Sequence, residues 1–248
     1  MSASFHLRLV LLFLSQSISS LRIGAYGFQS NYLFQRQQVQ QHHSLDSTKQ
    51  ELIDNLDYPN KLNEATSERT LLVKSLCEEN PTTKPGSTKS FSPFAPGTWR
   101  IIYAPHISTM AKLGGGGSFD PVYYILRPDG TMTSHAKYRF PFIGQGWLSV
   151  SGTYSSQDEN MVCRVDFDKA WVKMIQNDSD NDNSGPFDTL EDVPDTFTKA
   201  CINQLGKFAF LESVSIFPVS YLDNDMIVFD FELLGTRICA RKVKDKIT

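Results

Sequence analysis

The chain is predicted to be mainly β, an antiparallel barrel preceded by helices, with one short helix before its last strands. Three observations carry that reading. Gly97-Thr-Trp99-Arg-Ile-Ile-Tyr103 opens a period-two pattern, with Trp99, Ile101 and Tyr103 on one face and Arg100 and Ile102 on the other. Strand-length runs separated by antiparallel-type turns follow it, the strongest turn signal being Asp129-Gly130. Nothing alternates β with long α, which excludes a doubly wound sheet and leaves a barrel or a sandwich. A strand that sets a tryptophan, an isoleucine and a tyrosine on one side needs a deep apolar space to receive them.

The bulk numbers set the frame. With 40% apolar residues, 17 Phe, 9 Tyr and 3 Trp, the 248-residue chain can fill a real core. No acidic residue precedes Asp46, whereas Arg8, Arg22 and Arg36 do. Without residues 1–45 the net charge falls from −3 to −6. That sign argues against a phosphate-backbone grip, so nucleic acid is not an expected partner.

Residues 1–45 read as a two-part targeting presequence. Leu7 to Leu14 is apolar apart from Arg8, too short to span a bilayer, and is followed by Ser17, Ser19 and Ser20. A secretory-type signal over 1–20 or 1–25 is therefore expected. The stretch after it, rich in Gln and Ser, carrying arginines and lacking acids, has transit-peptide composition. Such a pair resembles the presequence of algae with complex plastids, Ala25-Tyr26-Gly27-Phe28 supplying the aromatic after the cleavage point. Plain secretion is the alternative address. No run reaches transmembrane length, which predicts a soluble or peripheral mature protein.

Residues 46–96 form the expected helical lead-in. Leu52, Ile53 and Leu56, then Leu71, Leu72 and Leu76, recur at helical spacings. Asp57-Tyr58-Pro59-Asn60 breaks the first piece, Ser67 is placed to cap the second, and Asn80-Pro81 ends it. Four prolines over 81–96 make an extended lead into the barrel domain, 97–248.

Within that domain, Pro121–Pro128 and Thr131–Phe140 flank Asp129-Gly130 as a hairpin. Gln145–Ser155 carries Leu148, Val150 and Tyr154 on one face, and Met161–Asp168 carries Met161, Cys163, Val165 and Phe167. Ala170–Ile175 continues or follows it. Residues 176–196 form an acidic insertion expected to be mobile. A short helix after Pro194 would set Phe197, Ala200, Cys201 and Leu205 on one side and end at Gly206. Strands at 208–219, 226–233 and 236–243 complete the set.

The chemical constellations are weak. Gly114–Gly117 lacks the Gly-Lys-Ser/Thr of a phosphate loop and reads as a flexible loop at a barrel mouth. Asp178, Asp180 and Asp182 copy the start of an EF-hand, yet Asn183 and Thr189 stand where the turn glycine and the bidentate glutamate belong. Asn177-Asp-Ser179 is a glycosylation sequon. His106 and His135 have no partner at ligand spacing, so no metal, cofactor or catalytic residue is assigned. A His135/Cys163/Asp166 triad lacks the motif that would expose a thiol. Cys163 and Cys239 lie on strands and either pair or stay as buried thiols. Asp223 begins a turn that an Asx-type hydrogen bond would fix.

Two anchors carry a family resemblance. One is Leu76-Cys-Glu-Glu-Asn80-Pro81-x-x-x-Pro85 followed by Gly97-Thr-Trp99-Arg-Ile-Ile-Tyr103; the other is Tyr221-Leu222-Asp223-Asn-Asp225-Met226. In order and spacing they resemble the plastid lipid-associated protein/fibrillin family over residues 66–243. The resemblance implies a lipocalin-like fold and binding of lipids, carotenoids or quinones at thylakoids or lipid globules of a plastid. It departs from the family at Ile227 and at Asp230-Phe231, where arginine-containing motifs are usual.

From the residues, the cavity-lining candidates are Trp99, Ile101, Tyr103, Tyr123, Ile125, Trp147 and Tyr221. Gly97 and Asp223 are structural candidates, and Arg237 or Arg241 is placed to lie across the Trp99 ring and close one end. A core packed solid by its own side chains is the competing expectation. Two other readings stand beside a hydrophobic binder. One is a barrel isomerase using Tyr103, Tyr123, His135 or Asp223 for proton transfer; the other is a peripheral scaffold using the basic end Arg241–Lys246.

Overall fold

The computed structural model describes residues 45–56, 67–80, 91–113, 115–157, 161–175, 185–194 and 216–244. Eight antiparallel strands close into one barrel in sequence order, a form compatible with lipocalin-like folds. They are β1 (Gly97–Tyr103), β2 (Ser118–Leu126), β3 (Thr131–Phe140), β4 (Gly144–Gln157), β5 (Val162–Ile175), β6 (Ile216–Leu222), β7 (Met226–Phe231) and β8 (Thr236–Val243). The helices are α1 (Leu45–Leu56), α2 (Ser67–Glu78), α3 (Phe91–Phe94) and α4 (Pro105–Leu113). The short helix expected after Pro194, most of the acidic insertion, Asn177 and the presequence lie outside the described residues.

The sheet has two apolar faces rather than one. Its inner face gathers residues from all eight strands, among them Trp99, Ile101, Val122, Met132, Cys163, Phe229 and Ala240. Its outer face along β1, β6, β7 and β8 carries Ile102, Tyr103, Tyr221, Met226, Val228 and Cys239, buried under Leu52 of α1 and Val73 and Leu76 of α2. On α2 the buried stripe runs Arg69, Val73, Leu76, while Leu71 is 62% exposed, so the apolar face is set one position from that of the leucines alone. Burying each such side chain is worth about 1.5–3 kcal/mol, which is what holds two short helices to the wall.

The corner between β6 and β7 locks α1 in place. Oδ1 of Asp223 accepts from the amides of Asp225 and Met226, both at 2.8 Å, closing the expected Asx-type turn. Its Oδ2 accepts from the Tyr221 hydroxyl at 2.6 Å and from the Lys49 ammonium of α1. Burial alone would raise the Asp223 pKa, but the hydrogen bonds from Lys49, Tyr221 and the two amides outweigh it and hold it below its ordinary value. Asn80, at the end of α2, donates to the Ser220 carbonyl at 2.8 Å and ties the second helix to the same strand.

Residues 185–194 correct the expectation of a wholly mobile insertion. Leu190 and Val193 are buried in a cluster with Trp171, whose indole N–H donates to the Phe187 carbonyl at 3.0 Å. Lys173 donates to the Gly185 carbonyl at 2.7 Å. The strap that follows the acidic run carries three apolar residues, Phe187, Leu190 and Val193, that the composition of the whole insertion averages away.

α4 interrupts the expected run from strand to glycine loop. Pro105 suits a first helical turn, since its missing N–H would be unpaired there anyway. The helix ends in a Schellman arrangement, Gly116 N–H bonding the Ala111 carbonyl and Gly115 N–H that of Lys112, with Gly115 at φ +100°. The described glycines of the expected mouth loop thus cap a helix.

Candidate functional site

Register decides which side chains face the barrel interior. Trp99 stands opposite Tyr124 and Gly97 opposite Leu126, so Val122, Tyr124 and Leu126 of β2 point inward. Tyr124 pairs with Ser134, and Val122 with Ala136, which pairs with Leu148, which pairs with Val172. Tyr124, Ser134, Ala136, Leu148 and Val172 thus form a contiguous inner band across β2 to β5. Each is only half-buried, although its neighbours on the inner face are sealed. Across the interior stand Phe217, Phe229 and Phe231, with ring centroids 6.0–6.1 Å apart about Phe217.

Inward-facing side chains that keep access make this band the candidate lining of a binding surface. β5 pairs with β6 through three residues only, Val162 to Arg164, whereas its pairing with β4 runs its full length. Beyond Arg164, β5 has no ladder partner on its β6 side among the described residues. The inner band lies beside this stretch of β5 and is the candidate site for a hollow.

One end of the hollow is floored. Phe91 of α3 is fully buried and packs edge-on against Tyr154 and Phe229, with centroids 6.3 and 6.4 Å away. The Trp99 indole N–H donates to the Ala95 carbonyl at 2.8 Å. At the other end His106 of α4 rests on Phe231 at 4.8 Å and meets Thr236 at 3.2 Å. Burial drives the His106 pKa down to about 4, so its imidazole is neutral in the interior. Two polar groups of the described inner band are the Tyr124 phenol, pushed up to about 12 by burial, and the Ser134 hydroxyl opposite it.

The candidates named from sequence divide between the two faces. Trp99 and Ile101 are interior. Tyr103 is not, because Ile102 is an extra residue in β1: Ile101 faces Ala240 and Tyr103 faces Cys239, and the bulge turns Tyr103 outward. There its hydroxyl lies 3.0 Å from Thr70 of α2. Tyr221 is turned outward in the same way by Ser220, which stands between Val219, opposite Phe229, and Tyr221, opposite Val228. Tyr123 and Ile125 alternate with the inward set and also face out. Trp147 stands between Lys137 and Lys173 on the outer wall, with the Lys137 ammonium 5.8 Å from its ring.

The cation across Trp99 is neither arginine. Arg237 lies on the outer wall, paired with Asp230 at 2.9 Å, and Arg241 stands opposite Arg100 on that same wall. Register instead places Lys242 opposite Trp99, its ammonium 5.0 Å from the ring centroid and donating to the Phe94 carbonyl at 3.0 Å. Gly97 makes room for it: a Cβ there would come within 2.3 Å of Lys242 Cε, and its φ of +145° favours glycine. Burial depresses the Lys242 pKa, and the Asp225 carboxylate partly restores it.

The proton-transfer candidates do not meet in the interior. Tyr103, Tyr123, His135 and Asp223 all lie on the outer wall or its corner. His135 bonds Ser149 at 2.8 Å and packs edge-on to Trp171, while Cys163 is interior, so the two never share a site. Cys163 and Cys239 are free thiols on opposite faces, the former pushed up to about 12 by burial. Among the described residues no cluster of His, Cys, Asp or Glu is placed to hold a metal ion, and no helix is long and apolar enough to cross a membrane.

No family model and no curated protein matches this chain.

Proposed function

We propose that this protein is a non-enzymatic binder of hydrophobic small molecules, lipids, carotenoids or quinones, carried in the barrel hollow. The observation that bears the reading is the inner band Tyr124, Ser134, Ala136, Leu148 and Val172, half-buried on the concave side of a closed sheet and facing three phenylalanines. Burying an acyl or isoprenoid tail there yields about 25 cal/mol per Å2 of apolar surface, less the cost of immobilising it. The Tyr124 and Ser134 hydroxyls offer one polar anchor, enough to orient a ligand carbonyl or hydroxyl without charge.

The address we propose is a plastid, at thylakoid or lipid-globule surfaces. It rests on the two-part composition of residues 1–45 and on the ordered anchors that resemble the plastid lipid-associated proteins.

The test is a titration of the purified chain with a lipophilic fluorescent probe, alongside mass spectrometry of what an organic solvent extracts from it. Leu148→Trp, which projects an indole into the hollow, should weaken probe binding about tenfold or more while the protein stays folded. A chain that neither binds the probe saturably nor releases a lipophile would sink the reading.

A further inference from the structure

We propose that the protein docks on a lipid surface through the α4 end of its barrel, with Phe142 as the inserted wedge. Phe142 sits on the turn between β3 and β4 and is 84% exposed, the most exposed large apolar side chain among the described residues. The turn that carries it is fastened on both shoulders. Phe140 and Ile143 are buried in the core, the Ile143 amide bonds the Phe140 carbonyl, and Gly144 closes the turn at φ +89°. Only Phe142 is directed into solvent. A second apolar group lies at the same end: Met174, opposite Gly146 just beyond the turn, is 36% exposed.

Cations stand below this tip. Arg139, opposite Gln145 on one side and Ser118 on the other, is exposed and makes no ion pair among the described residues. Lys112, exposed in the last turn of α4, is brought to the same end by Gly117, which lies against the Phe140 ring. Lys137 follows two residues further down β3, its ammonium 5.8 Å from the Trp147 ring. By the rise of a strand, Arg139 is no more than about 10 Å from the Phe142 tip. An apolar group seated at the acyl boundary lies about 5–10 Å deep, so a ring placed there sets Arg139 among the headgroups.

That geometry selects the partner. A stable protein interface needs a patch of about 800 Å2 on each side, which one ring and one thioether do not make. A wedge above a collar of cations fits a bilayer carrying acidic headgroups, where the ring meets an apolar layer and the cations meet anions just above it. Asp178, Asp180 and Asp182 follow β5 from this end in the sequence and carry the opposite charge, so salt dependence shows which sign prevails. The basic run from Arg241 is at the other end of the barrel, beside Gly97 and Thr98, and serves as the control. This docking end is separate from the inner band, so it does not rest on the proposed cargo; it gives the proposed lipid-surface address its point of contact.

The full chain would be floated with phosphatidylcholine vesicles, with and without phosphatidylglycerol, at low and high salt. Saturable partitioning is expected, stronger with phosphatidylglycerol and weaker in salt. Phe142→Ser should weaken it about tenfold or more, and Arg139→Gln about fivefold on the acidic vesicles. Leu71→Ser, at an exposed apolar residue of α2, and Lys244→Gln, at the basic end, should partition as the parent does. All four side chains are exposed, so each variant should keep the parent's circular dichroism. Phe142→Trp should float as the parent and gain an emission that bromine-labelled lipid quenches. Lipophilic-probe binding should be unchanged in Phe142→Ser, so loss of docking and loss of cargo binding are read separately. Flotation of the purified chain is likewise independent of the compartment to which the chain is delivered. No flotation on either vesicle, Phe142→Ser floating as the parent, or partitioning that rises with salt overturns the proposal. A dimer in sedimentation that Phe142→Ser parts into monomers also overturns it, by assigning the wedge to a second copy.

Discussion

Replacing Gly97 by alanine puts the floor of the hollow under a defined strain. The new Cβ would stand 2.3 Å from Lys242 Cε, so the lysine must leave its place across Trp99. Holding a non-glycine residue at a φ of +145° adds about 1–3 kcal/mol of backbone strain. Displacing Lys242 forfeits its hydrogen bond to the Phe94 carbonyl and its contact with the indole, together about 1–2 kcal/mol for a partly exposed cation. Gly97→Ala should therefore cost about 2–5 kcal/mol in urea unfolding, read as a lower midpoint at unchanged m. Lys242→Ala alone should cost about 1–2 kcal/mol. In the double variant the collision has no lysine to displace, so the two losses should fall short of additive by about 1–2 kcal/mol. A full additive sum, or a Gly97→Ala protein as stable as the parent, would refute the claim that this glycine exists to seat Lys242.

Other expectations follow from the same geometry. Asp223→Asn should lower stability by about 2–4 kcal/mol at neutral pH, because it leaves the Lys49 ammonium half-buried without its carboxylate. Since the folded-state pKa of Asp223 lies below its ordinary value, the stability it supplies is present above the carboxylate range and lost as pH falls through the folded value; thermal unfolding of Asp223→Asn should show that acid loss flattened. His106 and His135 are both held at about 4, so the unfolded chain takes up their protons first. Stability should then fall as pH drops from about 6.5 toward 4, by up to about 1.4 kcal/mol per pH unit for each histidine, and His135→Leu should roughly halve that slope. Tyr103→Phe removes the hydroxyl contact with Thr70, about 0.5–1.5 kcal/mol, and should leave probe binding unchanged because the ring is on the outer wall.

The sequence made the strands legible because their alternation is strong, and it made the Asp129-Gly130 hairpin and the Asp223 corner legible because turn chemistry is local. Which face of each strand points inward was harder. Period two assigns Tyr103 to the side of Ile101 and Tyr221 to the side of Val219, and one-residue bulges at Ile102 and Ser220 reverse both. A bulge leaves no compositional mark when the extra residue is an ordinary isoleucine or serine. Size was a second false guide. Trp147, Trp171, Tyr103 and Tyr221 are large and almost wholly buried, yet they are buried on the outer wall. Apolar residues on both faces are what a covered sheet requires, and the helical stripe of Val73 and Leu76 was the available hint that the wall would be covered. Lys242 required the register of β1 against β8, which no single strand contains.

That division of side chains also bears on whether the hollow is a packing defect. Unfilled apolar volume costs about 24 cal/mol per Å3, so a chain selected only for stability has reason to close it. This chain had the means, since its aromatic bulk is ample. It sets Tyr103, Tyr221 and Trp171 outside, beneath α1, α2 and the 185–194 strap, and Trp147 on the outer wall between Lys137 and Lys173, while the inner band is built largely of Ser134, Ala136, Leu148 and Val172. The same region is where, among the described residues, β5 has no β6-side partner beyond Arg164. Small inner side chains and a stretch of β5 with no described β6-side partner coincide at one place. A ligand that lies there against the interior phenylalanines would offset the cost of that volume. On this argument, Ala136→Leu combined with Val172→Phe should raise the Tm of the ligand-free protein while abolishing probe uptake; a double variant that loses stability and still binds would show that the space is not the one the ligand uses.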